Sequence, residues 1–149
     1  LCVLLGGRAA ESLVFGHLST GAADDLGRCT NIARSMATRY GMVERLGHVA
    51  YEDDRPTFLG QASLAGARRD YSEETAREID CAVRTILQAA FERSRAILAD
   101  NRPLLEEMAA LLLARETLDE AALRPLFARL SRRCAEPGPA PAPAAPGCA

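Results

Sequence analysis

The 149 residues carry 18 basic and 20 acidic side chains, a net charge of -2, and 48% of them are hydrophobic. This length suits one domain with its own core. A near-neutral charge excludes the basic surface typical of nucleic-acid-binding domains, so we expect no nucleic-acid partner. Aromatic residues make up only 5% of the chain and Trp is absent, which favours helices packed through small and aliphatic side chains. We therefore predict an all-α fold.

Hydrophobic periodicity predicts a helical bundle of about five helices. Apolar side chains recur at steps of three and four residues in five stretches, which is the pattern of a helix with one buried face. Gly16 and Gly41 follow the first two stretches, and glycine at this position commonly ends a helix. The predicted helices are residues 1–15, 22–40, 70–99, 103–115 and 117–130.

Local signals predict where the third and fifth helices begin. Asp70 with Glu73, and Thr117 with Glu120, have the three-residue spacing of a capping box. Pro125 lacks a backbone N–H and is expected to bend or interrupt the last helix.

Two stretches carry no helical pattern. Residues 48–60 hold two short apolar patches, which predict either a small hairpin or an ordered loop. From residue 135 onward Pro alternates with Ala and Gly, and such a segment cannot bury enough apolar surface to offset its ordering entropy. We therefore expect residues 1–134 to form one folded unit and residues 135–149 to be a disordered tail.

The apolar faces predict how the helices pack. The long third helix is expected to pack against the second and the fourth, while the apolar residues 1–5 are expected to pack on a helix outside this chain. Gly6 and Gly7 in mid-helix together lower helix stability by about 2 kcal/mol relative to Ala. Because glycine has no side chain, their presence predicts that another backbone approaches the helix closely at these two residues.

Histidine placement limits the enzyme classes. His17 and His48 lie far apart in the chain, and neither has a second His four residues away. The chain alone therefore cannot supply the two imidazoles and the general-base Glu of an H-E-x-x-H metalloprotease. The patterns of a serine nucleophile elbow, a phosphate loop and a dinucleotide-binding turn are absent as well.

One segment combines groups that could carry chemistry. Residues 19–26, S-T-G-A-A-D-D-L, place two hydroxyls, a glycine and two adjacent carboxylates where a loop becomes a helix. Consecutive helix side chains point about 100° apart, so only one of Asp24 and Asp25 can face the interior. The spacing favours two first-turn acids that stabilise the positive end of the helix dipole, and leaves a metal ligand as the alternative.

A series of sequence blocks runs along the chain in a fixed order. L-G-G-R-A-A-E at residues 5–11 is followed by F-G at 15–16 and by the S-T-G-A-A-D-D-L segment. Further blocks are T-N-I-A-R at 30–34, M-A-T-R-Y-G-M at 36–42, L-G-H-V at 46–49, F-L-G at 58–60, S-E-E-T-A at 72–76 and E-T-L-D at 116–119. Over about residues 1–130 the series resembles the peptidase region of the FtsH family of membrane-anchored, ATP-dependent AAA+ zinc metalloproteases.

The resemblance implies a zinc site to which Asp25 contributes. In the family, two His of an H-E-x-x-H helix and the Asp of the S/T-T-G-A-x-x-D segment hold the zinc, and that Asp matches Asp25. Zn²⁺ is then the implied cofactor, with a water in the fourth position. Asp24 is expected to be a capping group or to support the site from outside.

Further residues are expected to support this zinc site without binding the metal. Glu11 looks like a buried helix acid near the site, paired with Arg8 one helical turn away. Thr20 and Gly21 belong to the same block as Asp25, and the resemblance implies a structural role for them.

The family resemblance also implies a longer protein. Family members carry transmembrane helices, an AAA+ ATPase domain and the H-E-x-x-H helix ahead of the L-G-G-R-A-A-E block. We therefore expect this chain to be a fragment that is inactive alone, with ATP bound on an upstream domain. The full protein is expected to be a homo- or hetero-hexamer that degrades unfolded or membrane proteins. It would be anchored in a membrane with this domain on the cytoplasmic, or organellar matrix or stroma, side.

This segment itself is expected to be soluble and to make no membrane contact, because its apolar runs are far shorter than the roughly 20 residues that span a bilayer. Two other functions stay open. The first is a non-catalytic helical assembly module, a pseudoprotease remnant that kept the fold and lost the chemistry. The second is a helical binding domain unrelated to proteases.

Overall fold

The computed structural model describes residues 1–52 and 71–131. Within these two ranges the chain forms five α-helices and one short 3-10 helix, and no residue of them lies in a strand. The α-helices are α1 (Cys2–Val14), α2 (Ala23–Thr38), α3 (Glu73–Asp100), α4 (Arg102–Arg115) and α5 (Glu120–Ala128), and the 3-10 helix is Glu44–Leu46. The predicted all-α bundle of about five helices is confirmed.

Several sequence predictions fall partly or wholly outside the described residues. Of the predicted hairpin or ordered loop, residues 48–52 are described and form no strand, whereas residues 53–60 lie outside. Asp70 and the predicted tail, residues 135–149, also lie outside the described residues.

Glycines in the left-handed region follow the first two helices, as predicted. Gly16 has a φ of 68° and Gly41 a φ of 57°, a region that glycine enters without steric cost. Across Gly41, the backbone N–H of Met42 donates to the carbonyl oxygen of Met36 at 3.1 Å, so a carbonyl group of the last helical turn is satisfied from beyond the helix end. The last regular residue of α2 is Thr38, three residues before Gly41.

The third helix begins at a serine rather than at the predicted aspartate. Ser72 is the N-cap of α3, and its hydroxyl accepts a hydrogen bond of 3.2 Å from the backbone N–H of Thr75. Ser72 has the extended backbone that an N-cap requires, with φ -66° and ψ 161°. The predicted cap at Asp70 is therefore wrong by two residues.

The fifth helix also begins two residues later than predicted. Asp119 is its N-cap, and Oδ1 of Asp119 accepts a hydrogen bond of 2.9 Å from the backbone N–H of Ala122. Thr117 cannot cap α5, because Glu116 closes α4 in the left-handed conformation and Thr117 lies in the connection. The helix then continues through Pro125 to Ala128, so Pro125 does not interrupt it.

The core of the bundle lies where α2 meets α3. Both helices present small or branched apolar side chains, so their axes can approach closely. The 3-10 helix closes one end of this interface. The buried residues of this core are Ala33, Ala37, Leu46, Ile79 and Val83. The predicted packing of the long helix on the second and fourth helices is confirmed, although α1 is its most extensive partner.

The first helix packs on α3 within this chain, which corrects one expectation. Leu5 and Ala9 are buried, at 3% and 0% exposure, and the Ser94 hydroxyl of α3 donates to the carbonyl oxygen of Cys2. Residues 1–5 therefore do not depend entirely on an external helix, because α3 covers one side of them. Val3, on the other side of α1, is 91% exposed.

Gly6 and Gly7 lie on open surface of α1. A Cβ atom at either position would meet no heavy atom within 4 Å. The close backbone approach that the two glycines predict is therefore not made by any residue that the structure describes.

Hydrogen bonds tie the segment after α2 back to that helix. The backbone N–H of Tyr51 donates to the carbonyl oxygen of Thr38 at 2.7 Å, and the Tyr51 hydroxyl donates to that of Leu46 at 3.0 Å. The hydroxyl of Thr38, which is fully buried, lies 3.1 Å from Oε2 of Glu52 and 2.8 Å from the carbonyl oxygen of Arg34. Residues 39–52 are thus an ordered connection that covers the end of the core.

Candidate functional site

A carboxylate at the end of α1 holds the loop that leads into α2. The backbone N–H of Ser19 donates to Oε2 of Glu11 at 3.0 Å, and the Ser19 hydroxyl donates to Oε1 at 2.6 Å. The Ser19 hydroxyl in turn accepts a hydrogen bond of 3.2 Å from the backbone N–H of Gly21. We call this arrangement of Glu11, Ser19 and the Gly21 N–H the Glu11–Ser19 clasp.

The clasp keeps Glu11 ionised. The hydrogen bonds from the Ser19 hydroxyl and backbone N–H lower the pKa of the Glu11 carboxyl from its ordinary value of 4.5, against a smaller opposing effect of desolvation, and the positive charge of Arg8 acts in the same direction as the hydrogen bonds. Ser19 donates to both carboxylate oxygens of Glu11, so the Glu11 side chain turns toward Ser19. Arg8 acts on Glu11 only through the charge of its guanidinium group. Glu11 is half-buried, and its carboxylate accepts hydrogen bonds from Ser19, so the prediction that this acid pairs with Arg8 is wrong in its partner.

Backbone hydrogen bonds carry the chain from the clasp into α2. The carbonyl oxygen of Thr20 accepts from the N–H of Ala23 at 3.2 Å, and that of Ala22 accepts from Leu26 at 2.9 Å. Ala22 is the N-cap and supplies no side-chain cap. A Cβ atom at Gly21 would stand 3.4 Å from the Ser19 hydroxyl, an ordinary van der Waals contact, so the contribution of Gly21 to the clasp is its backbone N–H.

Asp24 and Asp25 occupy the first turn of α2 and differ in burial. Both lie at the positive end of the helix dipole, where a negative charge is stabilising. Asp24 is exposed and Asp25 is half-buried, in agreement with the expectation that only one can face the interior. Asp25 shares a face of α2 with the fully buried Cys29 one turn later. Burial raises the pKa of the Cys29 thiol, and the negative charge of Asp25 adds to the effect.

The described residues do not assemble a zinc site by themselves. No group of three or more His, Cys, Asp or Glu side chains in residues 1–52 and 71–131 could hold a metal ion. Asp25 offers one carboxylate group as a metal ligand. None of the side-chain hydrogen bonds among the described residues involves this carboxylate. One carboxylate can complete a zinc site but cannot select zinc alone, so the chain fits the implied metal only as a contributor of one ligand.

An open apolar groove runs beside the start of α2. Its volume is about 890 Å³, and it is lined by residues of α1, the loop, the start of α2, and α3. Leu18 and Leu26 border the groove on the side of the loop, Leu5 lies on α1, and Leu87 and Phe91 lie on α3. The residue after Asp25 therefore lines an apolar surface that is accessible from outside.

Ser19 is the member of the site that sequence reasoning did not single out. Its hydroxyl is one of two in the S-T-G segment, and only the structure distinguishes it from Thr20. A usable signal was present, because a serine two residues before glycine favours a hydroxyl-to-backbone turn. Its second partner, Glu11, lies eight positions earlier in another element, and no local pattern connects the two.

Comparisons with known proteins extend over the same blocks. The family model for peptidase family M41 matches residues 1–126. "ATP-dependent zinc metalloprotease FtsH" of Pseudomonas putida is 55% identical over 118 residues, which are 79% of this chain and 19% of that protein. The protein of the same name from Methylibium petroleiphilum is 52% identical over 131 residues, 87% of this chain and 21% of that protein.

A third relative, "ATP-dependent zinc metalloprotease FtsH 2" of Bdellovibrio bacteriovorus, is 47% identical over 137 residues, 92% of this chain and 22% of that protein. The chain spans about a fifth of the length of these curated relatives. The family match takes in α1 to α4, the Glu11–Ser19 clasp and both first-turn aspartates. A match of this extent places more than half of the residues in one family, and the chain therefore belongs to peptidase family M41.

Proposed function

We propose that this chain is the C-terminal, helical part of the peptidase domain of an ATP-dependent zinc metalloendopeptidase. The observation that carries the proposal is the placement of Asp25, a half-buried carboxylate in the first turn of α2 within the matched region. The names of the similar proteins support the same chemistry, since all three are called zinc metalloproteases. The alternative, a non-catalytic assembly module, is not favoured by these names.

Asp25 would supply one oxygen ligand to Zn²⁺, and two His in the rest of the longer protein would supply the others. When bound, zinc would lower the pKa of a water and polarise the carbonyl of a peptide bond. Asp25 is suited to this part because the first turn of α2 fixes its backbone. Its neighbour Asp24 is exposed, and would stabilise the same helix end without touching the metal.

Arg8, Glu11, Thr20 and Gly21 would support the site without binding zinc. Glu11 holds the loop through Ser19, and Arg8 adds a positive charge that keeps the Glu11 carboxylate ionised. The carbonyl oxygen of Thr20 accepts the first hydrogen bond at the start of α2. Gly21 donates its backbone N–H to the Ser19 hydroxyl.

The substrates would be unfolded or membrane proteins. The groove of about 890 Å³ beside Leu26 is apolar and open, which suits the apolar side chains that an unfolded chain exposes. We place this groove at the edge of the substrate cleft, next to the residue that follows Asp25.

The rest of the longer protein would supply what this chain does not. ATP would bind on an upstream domain, and the assembly would be a homo- or hetero-hexamer. No helix among the described residues has both the length and the apolar character that crossing a bilayer requires. Membrane anchoring would therefore use other segments, with this domain on the cytoplasmic or organellar matrix or stroma side. Within the chain, residues 1–134 would form the peptidase portion, and residues 135–149 would lie outside it.

The test is the Asp25→Asn variant of the full-length protein, assayed for casein hydrolysis and for zinc content. We expect hydrolysis to fall by more than about 100-fold and zinc to be lost, because an amide is a far weaker zinc ligand than a carboxylate. Asp24→Asn is the matched comparison, since it removes one negative charge from the same helix turn and should have a much smaller effect. Full activity of Asp25→Asn would overturn the proposal.

A further inference from the structure

We propose that Ser19 is a positioning residue for Asp25, and that the Glu11–Ser19 clasp sets the start of α2 on the last turn of α1. The proposal rests on the proposed function in one respect only, the identity of Asp25 as the zinc ligand. The existence of the clasp can be tested without any metal.

The hydrogen bonds form a continuous series between the two helices. Glu11 lies on α1 and Ser19 in the loop, joined at 2.6 and 3.0 Å. The Ser19 hydroxyl reaches the N–H of Gly21 at 3.2 Å, and the carbonyl oxygen of Thr20 reaches the N–H of Ala23, the first residue of α2, also at 3.2 Å. Asp25 follows two residues later, so the clasp determines where the first turn of α2 begins.

The chemistry of the clasp requires a hydroxyl at residue 19. The Ser19 hydroxyl donates its one hydrogen to Oε1 of Glu11 and uses a lone pair to accept from the N–H of Gly21. Alanine would remove both bonds and leave only the backbone bond to Oε2. Threonine would keep both, because it carries the same hydroxyl. Glutamine at residue 11 could accept only one of the two bonds from Ser19, because an NH2 donor replaces the second carboxylate oxygen, and it would also lose the charge that strengthens them.

The loop has few other restraints, which makes the clasp decisive for its geometry. Ser19, Thr20 and Gly21 are all exposed, and the N-cap residue Ala22 offers no side-chain cap. Apolar packing therefore restrains these three residues little. Two charge-assisted hydrogen bonds to one carboxylate are a stronger restraint than solvent contacts at such a position.

The first experiment follows the Glu11 carboxyl of the 149-residue chain by carbon-13 NMR as the pH is lowered. We expect its pKa to lie below 4.5, the ordinary value, in the unmodified chain and in Ser19→Thr. In Ser19→Ala the pKa should rise toward the ordinary value. Ser131→Ala, which removes a hydroxyl beyond α5, is the control and should leave the titration unchanged. Titration of Glu11 at or above its ordinary value in the unmodified chain would overturn the clasp, whether or not Ser19→Ala folds.

The second experiment measures peptide hydrolysis by the full-length protein with the same variants. Ser19→Ala should lower kcat by about 10- to 100-fold, the usual loss when a group behind a metal ligand is removed, and should leave KM within about twofold. Ser19→Thr should have the kcat of the unmodified protein, because threonine keeps the hydroxyl. If any substitution at residue 19 simply destabilised the protein, Ser19→Thr would lose activity as well. Wild-type kcat in Ser19→Ala, or equal losses in Ser19→Ala and Ser19→Thr, would refute the positioning role.

The two failures can be told apart. If Asp25→Asn keeps full activity, the proposed function is wrong even when the Glu11 titration shows the clasp. If Asp25→Asn is inactive and Ser19→Ala is fully active, the function stands and the positioning role of Ser19 is wrong.

Discussion

The hydroxyl of Ser94 on α3 donates a hydrogen bond of 2.9 Å to the backbone carbonyl oxygen of Cys2 in the first turn of α1. Ser94 is only 4% exposed, and its hydroxyl also lies 3.0 Å from the carbonyl oxygen of Ala90 on its own helix. The two residues are 92 positions apart. Together with the bond of 3.6 Å from the Cys2 thiol to the carbonyl oxygen of Ala90, this contact fixes the beginning of α1 on the C-terminal half of α3.

Replacing Ser94 with alanine should destabilise the chain by about 1 kcal/mol, the typical net value of one intramolecular hydrogen bond. The free energy of unfolding, obtained from urea denaturation, is the measurement. The control, Ser131→Ala, removes a hydroxyl from an exposed residue and should change the free energy of unfolding by less than about 0.5 kcal/mol. Equal stabilities of the two variants would show that the contact with Cys2 contributes nothing.

Ile79 is the largest fully buried side chain among the residues that the structure describes, and its truncation should destabilise the chain far more than the loss of the Ser94 hydroxyl. At 0% exposure it lies in the core between α2 and α3, so Ile79→Ala leaves a cavity and should cost about 2–5 kcal/mol. Ile97 on the same helix is 47% exposed, and Ile97→Ala is the matched control with an expected cost below about 1 kcal/mol. A loss of similar size at the two positions would contradict the assignment of the core.

The Glu11–Ser19 clasp should make part of the stability depend on pH. The pKa of Glu11 is lowered in the folded chain, so the unfolded chain binds the proton more tightly. The stabilisation is therefore fully present above the ordinary value of 4.5 and is lost as the pH falls through the lowered pKa. Comparing urea midpoints of the unmodified chain and Glu11→Gln over this acid range is the measurement. The difference between them should shrink as the pH falls, and a constant difference would argue against the clasp.

The 149-residue chain alone should bind zinc weakly and hydrolyse no casein. Its described residues bring no three metal-binding side chains together, and a single carboxylate such as Asp25 holds zinc poorly. Equilibrium dialysis with zinc and a casein assay on the purified chain are the measurements. Hydrolysis that a chelator abolishes would show that the chain contains a complete active site.

Sequence patterns predicted the helices well and their starts less well. Periodicity located all five, because a buried helical face repeats in the sequence itself. The N-caps of α3 and α5 each lie two residues after the predicted position. Ser72 caps α3 where Asp70 was predicted, and Asp119 caps α5 where Thr117 was predicted. Several residues near each start could form a cap, and the backbone conformation selects one of them.

The candidate site was predicted in part. The S-T-G-A-A-D-D-L segment was identified as the place for chemistry, and the structure puts Asp25 in the half-buried position and Asp24 in the exposed one. Glu11 was identified as a supporting acid, but its partner was predicted to be Arg8. The actual partner is Ser19, because a loop residue can offer a hydroxyl and an N–H to both carboxylate oxygens at once.

The sequence by itself determined the all-α fold, the approximate helices and the family, because periodicity and the order of motifs are local properties of the chain. The tertiary structure alone decided that α1 packs on α3, where Ser94 meets Cys2, and that Glu11 holds the loop through Ser19. Contacts of this kind depend on how elements approach one another in space. Hydrogen-bond geometry and burial select which residues pair between elements, and the spacing of residues within a single helix does not specify these pairs.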